Sequence, residues 1–390
     1  MSRARLPLVF AALAALAPLA ARAADPTCPA RAWDVSQWPE ACDRQADGSC
    51  LPPAKSAEIE ALEAYAFTLT GAEGERAGLR TDSVLIIQGG ELVYERYARG
   101  WTASNRHLTW SVAKSVSNAI TGVAVHQGAL TLDDSICDHL SIASPEACGV
   151  SVQNLLEFAS GFDWKEIYED ESNQESSVIG MLYGIGRRDM VDFVTGHPLR
   201  DPPGTSYQYS TGDAVVLGSL AERALLADHG PDPFETLLFA PLGIEGAVWE
   251  RDNAGNLAGG SYLYMTSRDF ARFGWLFVND GCVDGVRLLP EGWVEASNTV
   301  SQAYINKRVE FEFPFRQGRQ FWLNKPVPEL GFEKAYPDLP EDAFFALGHW
   351  GQSITIIPSL DMVIVRTADD REKVFDRNEF SRLSIAVGSP

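Results

Sequence analysis

Three hydrophobic patterns succeed one another along this chain. The first is an apolar run over residues 6–21, broken by Pro7 and Pro18 and preceded by Arg3 and Arg5. The run is too short and too rich in alanine for a good membrane span, and Ala21-Arg22-Ala23 places small residues where a signal peptidase reads. The pattern predicts a signal peptide over residues 1–23. The second pattern marks strands. Residues 83–88 (SVLIIQ) are a short apolar run, Gly89-Gly90 is a turn, and residues 91–97 alternate as a second strand. Residues 343–365 return to strands as FFALG, SITIIP and MVIVR.

The third pattern is helical. A helix from near Ala54 carries Ile59, Leu62, Ala66 and Leu69 on one side. After Trp110, the residues Val112, Val116, Ala119, Ile120 and Val123 recur at helical spacing until Gly128. Residues 130–250 are mostly helical in pattern, with helices expected at 214–226 and 234–239, and residues 259–298 add two more. A last helix covers residues 379–387. Residues 24–54, rich in Pro, Cys and Asp, read as an irregular extension. Strands at both ends and helices in the middle imply an α+β fold: one antiparallel sheet built from distant segments and flanked by helices, with a mostly helical domain inserted. The catalytic unit is then residues 55–390, with the sheet part at about 55–128 and 255–390 and the helical part at about 129–254.

Composition changes this picture little. The 390 residues are 45% hydrophobic and 22% charged, which is ordinary for a globular protein. The formal charge is −21, and losing Arg3, Arg5 and Arg22 brings it to about −24. An acidic body disfavours nucleic acid and anionic lipid, and no stable membrane insertion is expected after signal cleavage. Six cysteines in an exported chain predict disulfides in a periplasmic or secreted protein. Cys137 with Cys148 is the local pair, Cys28, Cys42 and Cys50 crowd the extension, and 15 connectivities are open for six cysteines. Neither CxxC nor HxxxH spacing occurs, so no metal site and no cofactor are expected. The charge run from Asp369 through Asp370 to Lys373 reads as solvated surface.

Candidate chemistry centres on Ser111-Val112-Ala113-Lys114. Positions i and i+3 share a helix face, so the lysine amine can reach the serine hydroxyl. A helix N-terminus favours developing negative charge, and apolar packing lowers the lysine pKa so that it can take the serine proton. The motif alone is weak, since chance supplies roughly half an SxxK at this Ser and Lys content. Two further groups follow in order. Tyr209, in YQYSTG after Pro203-Gly204, can pass a proton if a neighbouring ammonium eases its ionisation. Gly348-His349-Trp350-Gly351-Gln352 precedes an apolar strand, where a glycine-rich edge lets substrate approach backbone N–H groups.

SVAK at a helix start, YST after a Pro-Gly turn, and HWGQ before a C-terminal strand together resemble the motifs of class C β-lactamase-like serine hydrolases. Linking segments such as VQNLLEFASGFDW and GGSYLYMTSRDFARFGWLF are similar to those of the 6-aminohexanoate-dimer hydrolases, with family VIII carboxylesterases nearby. The resemblance covers roughly residues 83–366. It implies a β-lactamase/penicillin-binding-protein fold with Ser111 as nucleophile, Lys114 as base and Tyr209 as proton shuttle. It also implies an oxyanion hole from the backbone N–H groups of Ser111 and Gln352. By the same resemblance His349, Trp350 and Gly351 line the substrate cleft, and Tyr168 closes over it.

Two departures shift the expected substrate. The middle motif commonly ends in Asn, where this chain has Thr211. The third motif of true β-lactamases begins with Lys, where this chain has His349, a residue mostly neutral at pH 7. A small ester or linear amide with no obligatory carboxylate therefore fits better than a β-lactam. Cell-wall DD-peptidase or D-aminopeptidase chemistry is the competing expectation. Intact Ser, Lys and Tyr argue against a non-catalytic binding protein on the same fold.

Overall fold

A computed structural model describes residues 25–29, 40–52, 55–71, 74, 77–168, 176–306, 316–372 and 374–389. The expected signal peptide and Ala54 lie outside the described residues. Among those residues the main sheet has nine strands: β1 (Asp43–Arg44), β2 (Cys50–Leu51), β3 (Thr81–Gln88), β4 (Glu91–Tyr97), β5 (Arg316–Gln317), β6 (Trp322–Leu323), β7 (Phe344–Gly348), β8 (Gln352–Ile357) and β9 (Met362–Ala368). Their order across the sheet is β1-β2-β4-β3-β9-β8-β7-β6-β5, every neighbouring pair antiparallel. The chain ends meet in the middle, where Ile86 of β3 pairs with Ile364 of β9.

The apolar run of β3 reflects burial on both faces. Leu85 and Ile87 join one core with Val363, Val365, Ile354 and Ile356, whereas Val84 and Ile86 join another with Ile364, Met362 and Phe345. Alternate residues of a strand point to opposite faces, so a strand between two cores has no polar face. The second core is closed by α1 (Ser56–Ala66) through Leu62 and Ala66, and by the C-terminal helix Arg377–Gly388 through Phe380 and Val387. Leu69, expected on the first helix, lies beyond its end and is exposed.

The helix after Trp110 is α2 (Val112–His126), buried at every position from Val112 to Ala124. Such a helix must satisfy its own polar groups. Ser115 Oγ donates to Gln320 O at 2.8 Å, Ser117 Oγ to Gly259 O at 2.6 Å, and Asn118 Nδ2 to Ser297 Oγ at 3.1 Å. Against it packs α3 (Thr211–His229), whose N-cap Ser210 accepts from Asp213 N–H. The expected 234–239 helix is a π-turn at Glu235–Phe239. The region 259–298 holds two helices, Ser267–Val278 and Trp293–Ser297, separated by a short hairpin at Cys282–Val283 and Val286–Arg287.

The extension is less irregular than its composition suggests. β1 and β2 form a hairpin on the sheet edge, joined by the Cys42–Cys50 disulfide. Cys137 pairs with Cys148 as expected, and Cys28 reaches Cys282 across 254 residues. All six cysteines are paired, as suits an oxidising compartment. Among the described residues no helix is long and apolar enough to cross a membrane. The long Cys28–Cys282 loop restricts the unfolded chain most, so Cys28→Ser with Cys282→Ser is expected to lose about 2–4 kcal/mol of stability. A urea unfolding midpoint equal to wild type would show that this tether adds nothing.

Candidate active site

Ser111 stands at the N-terminal end of α2 with helical backbone angles and no capping bond from its side chain, so its hydroxyl is left for other work. The residue before it, Trp110, has a φ of 49°, a left-handed conformation that is unusual for a bulky side chain. That turn presents Ser111 to a cleft of ≈ 540 Å³. One turn along, Lys114 is buried, and its Nζ donates to Ser111 Oγ at 3.0 Å, Thr211 Oγ1 at 2.9 Å and Gly260 O at 2.9 Å. Burial pulls the Lys114 pKa from 10.5 down to about 8, against the opposing pull of Glu166. Gly260 is required here: a Cβ on it would meet Thr211 Cγ2 at 2.7 Å and Thr211 O at 2.8 Å.

Tyr209 packs on Phe158 and stacks on Trp322 with ring centroids 5.2 Å apart. Lys114 Nζ lies 5.1 Å from the centre of the Tyr209 ring. Burial, followed by the nearby Glu166 carboxylate, pushes the Tyr209 pKa well up, with the Ser111 hydroxyl acting the other way.

The opposite edge of the cleft comes from the end of β7. A Cβ on Gly348 would lie 2.2 Å from Thr109 O, so only glycine lets this edge approach the turn before Ser111 so closely. Leu347, Gly348 and His349 line the cleft. Trp350 and Gly351, expected there, do not. Trp350 meets Trp110 edge-on at 5.1 Å. Gly351 faces Arg366 and Asp370. The Gln352 side chain is turned to β9, where Nε2 donates to Ala368 O at 2.5 Å and Oε1 accepts from Ala368 N–H at 3.2 Å. The tight turn over His349–Gly351 carries these residues behind the cleft edge.

Tyr168 does reach the cleft, with its ring 5.5 Å from that of His349. Beside it lies a residue that the sequence reading passed over. Glu166 accepts from Trp164 Nε1–H at 2.5 Å and Thr211 N–H at 2.9 Å, and from the hydroxyls of Thr211 and Tyr168. The signal was present as Trp164-x-Glu166-x-Tyr168, since alternate residues of an extended segment share a side. Trp322, Tyr304 and Leu182 complete the apolar walls.

A helix-end serine paired with a buried lysine, between an antiparallel sheet and a helical insertion, defines a serine hydrolase of the β-lactamase and penicillin-binding-protein type. The beta-lactamase family model matches residues 67–386, and the chain belongs to that family. A 6-aminohexanoate-dimer hydrolase from Paenarthrobacter ureafaciens is 26% identical over 326 residues, 80% of this chain and 79% of the relative. Among solved structures, a penicillin-binding protein homologue from Caulobacter crescentus superposes with a TM-score of 0.61 at 14% identity, covering 86% of this chain and 97% of that one. A class C beta-lactamase gives 0.56 at 17% identity, covering 85% and 96% respectively.

Proposed function

We propose that this protein hydrolyses an ester or linear amide through an acyl-enzyme on Ser111. The observation that carries the reading is the 3.0 Å contact between Lys114 Nζ and Ser111 Oγ at the head of an apolar cleft. Neutral Lys114 takes the Ser111 proton as Oγ bonds to the substrate carbonyl carbon. The carbonyl oxygen becomes an oxyanion, held by the N–H of Ser111 and by the main chain of His349, which borders the cleft where Gln352 does not. The bond to the leaving group then breaks, and that group takes the proton from Lys114 by way of Tyr209. Water attacks the acyl-enzyme, giving a proton back along the same route, and releases the acid and free Ser111.

The cleft supports a substrate without an obligatory carboxylate. Its walls are mainly aromatic and aliphatic. Its rim cation, Arg200, is tied to Asp201 and Gln208. The name of the 6-aminohexanoate-dimer hydrolase denotes cleavage of an amino-acid dimer, which supports a linear amide. The test is labelling by a serine-reactive fluorophosphonate, with Ser111→Ala as control, followed by turnover of short esters, linear amides, D-amino-acid peptides and a chromogenic cephalosporin. Wild type labels and Ser111→Ala does not, and esters or linear amides turn over fastest. Equal labelling of the two proteins defeats the nucleophile assignment. Fastest turnover of the cephalosporin or of D-amino-acid peptides defeats the substrate assignment.

A further inference from the structure

We infer that Glu166 is a positioning residue that acts through the Thr211 hydroxyl to aim the Lys114 amine at Ser111. The inference rests on the proposed role of Lys114 as base. Glu166 carries four donors on two oxygens: Trp164 Nε1–H, Thr211 N–H and the hydroxyls of Thr211 and Tyr168. Four donors fill the lone pairs of an ionised carboxylate and leave it no hydrogen to give. One of them, the Thr211 N–H, stands at the N-terminus of α3, where first-turn donors have no intrahelical partner and negative charge is favoured.

The consequence lies one bond further on. Thr211 has a single hydroxyl hydrogen, and Glu166 takes it. Thr211 Oγ1 can therefore only accept from Lys114 Nζ, at 2.9 Å. Gly260 O, a backbone carbonyl, is likewise only an acceptor, also at 2.9 Å. A neutral amine has two hydrogens and one lone pair. With both hydrogens committed to Thr211 and Gly260, the lone pair falls on the remaining partner, Ser111 Oγ at 3.0 Å. Freed from Glu166, Thr211 can turn its hydrogen toward Lys114 and capture the lone pair that Ser111 needs. A threonine hydroxyl at this position accepts from Lys114 and donates to Glu166 at one oxygen.

Glu166 also acts by charge. Lys114 is faced by Ser111 on its own helix, Thr211 at the start of α3, Gly260 O, the Tyr209 ring and the Glu166 carboxylate. Glu166 is itself faced by Tyr168, Tyr209 and the buried Asp213. Of the groups around Lys114 it is the one whose negative charge favours the ammonium. Removing that charge moves the acid limb of kcat/KM to lower pH, even as the maximal rate falls.

The experiment measures pH profiles of ester hydrolysis for wild type, Glu166→Gln, Glu166→Asp, Thr211→Val and Thr211→Ser. Glu166→Gln is expected to lower plateau kcat roughly 10- to 100-fold with little change in KM. Its acid limb is expected to move down by about half a pH unit or more. Glu166→Asp keeps the charge and holds the limb in place. Thr211→Val loses kcat to a similar extent, Thr211→Ser retains most of it, and the Glu166→Gln/Thr211→Val double loses no more than the worse single. A Glu166→Gln protein with wild-type plateau and limb overturns the inference. So does a fall in kcat with an unmoved limb, which is what a purely structural role predicts. Should Glu166→Gln fail to fold, full activity in Thr211→Val overturns it equally. Activity surviving in Ser111→Ala would instead sink the underlying reading, so the two failures are distinct.

Discussion

Lys114→Ala is expected to lower kcat/KM on a short ester by roughly 10³–10⁴-fold at pH 8, equivalent to about 4–5 kcal/mol of transition-state stabilisation. Three contacts vanish together: the proton acceptor for Ser111 and the donors to Thr211 Oγ1 and Gly260 O. Lys114→Arg should be as inactive as the alanine variant, although it keeps a cation, because a guanidinium does not lose its proton in proteins. The pair of variants thus separates a base from a fixed positive charge. The pH dependence follows from the same residue. Burial lowers the Lys114 pKa to about 8, and in the proposed mechanism the neutral amine is the reactive form. Activity therefore rises with pH, levels off above about 8, and falls about tenfold for each unit below it, so that about a tenth remains at pH 7. Stopped assays across pH 5–10 check this, and a flat profile in wild type or more than a tenth of the rate in Lys114→Arg would reject the base assignment.

Asp370→Ala is expected to cost about 3–5 kcal/mol of folding stability. Arg366 on β9 is fully buried, and its guanidinium meets Asp370 through two bonds of 2.7 and 3.1 Å. Its Nε donates to Thr81 Oγ1 at 3.0 Å, tying β9 to β3. Asp370 also accepts from Arg80 N–H at 2.7 Å. Without the carboxylate, Arg366 remains charged and buried beside a second buried guanidinium, Arg377. Replacing both partners by apolar residues, as in Arg366→Met with Asp370→Leu, removes the stranded charge and is expected to cost less than Asp370→Ala alone. Urea unfolding of wild type, Asp370→Ala and the Arg366→Met/Asp370→Leu double measures the difference. A single variant within 1 kcal/mol of wild type, or a double worse than the single, would contradict it.

Asp370 also shows where sequence reading stops. Within a run of five charged residues it looks like solvated surface, and most such residues are. It is buried because Arg366, four residues earlier, points into the sheet end, and because the turn over His349–Gly351 closes above both. The same turn, with left-handed backbone at Trp350 and Gly351, sets His349 on the cleft wall and the Gln352 side chain on β9.

The strands and helices were legible because their patterns depend on near neighbours. β3 with β4, α2 from Val112, α3 around residues 214–226, and the three C-terminal strands all lie where periodicity predicts them. The Ser111–Lys114 contact belongs to the same level, since i and i+3 meet on any helix. The chain alone therefore determined the α+β architecture and the Ser111–Lys114 pair. Tertiary structure decided what surrounds that pair. Thr211 comes to Lys114 from 97 residues away, Gly260 from 146, and Glu166 reaches Thr211 across 45. Such contacts depend on how loops without a repeating pattern are carried to one place, and no local period records that. The serine and the lysine are written in one helical turn; the groups that surround the lysine exist as a site only once the sheet, the two central helices and the Trp164–Tyr168 segment have packed together.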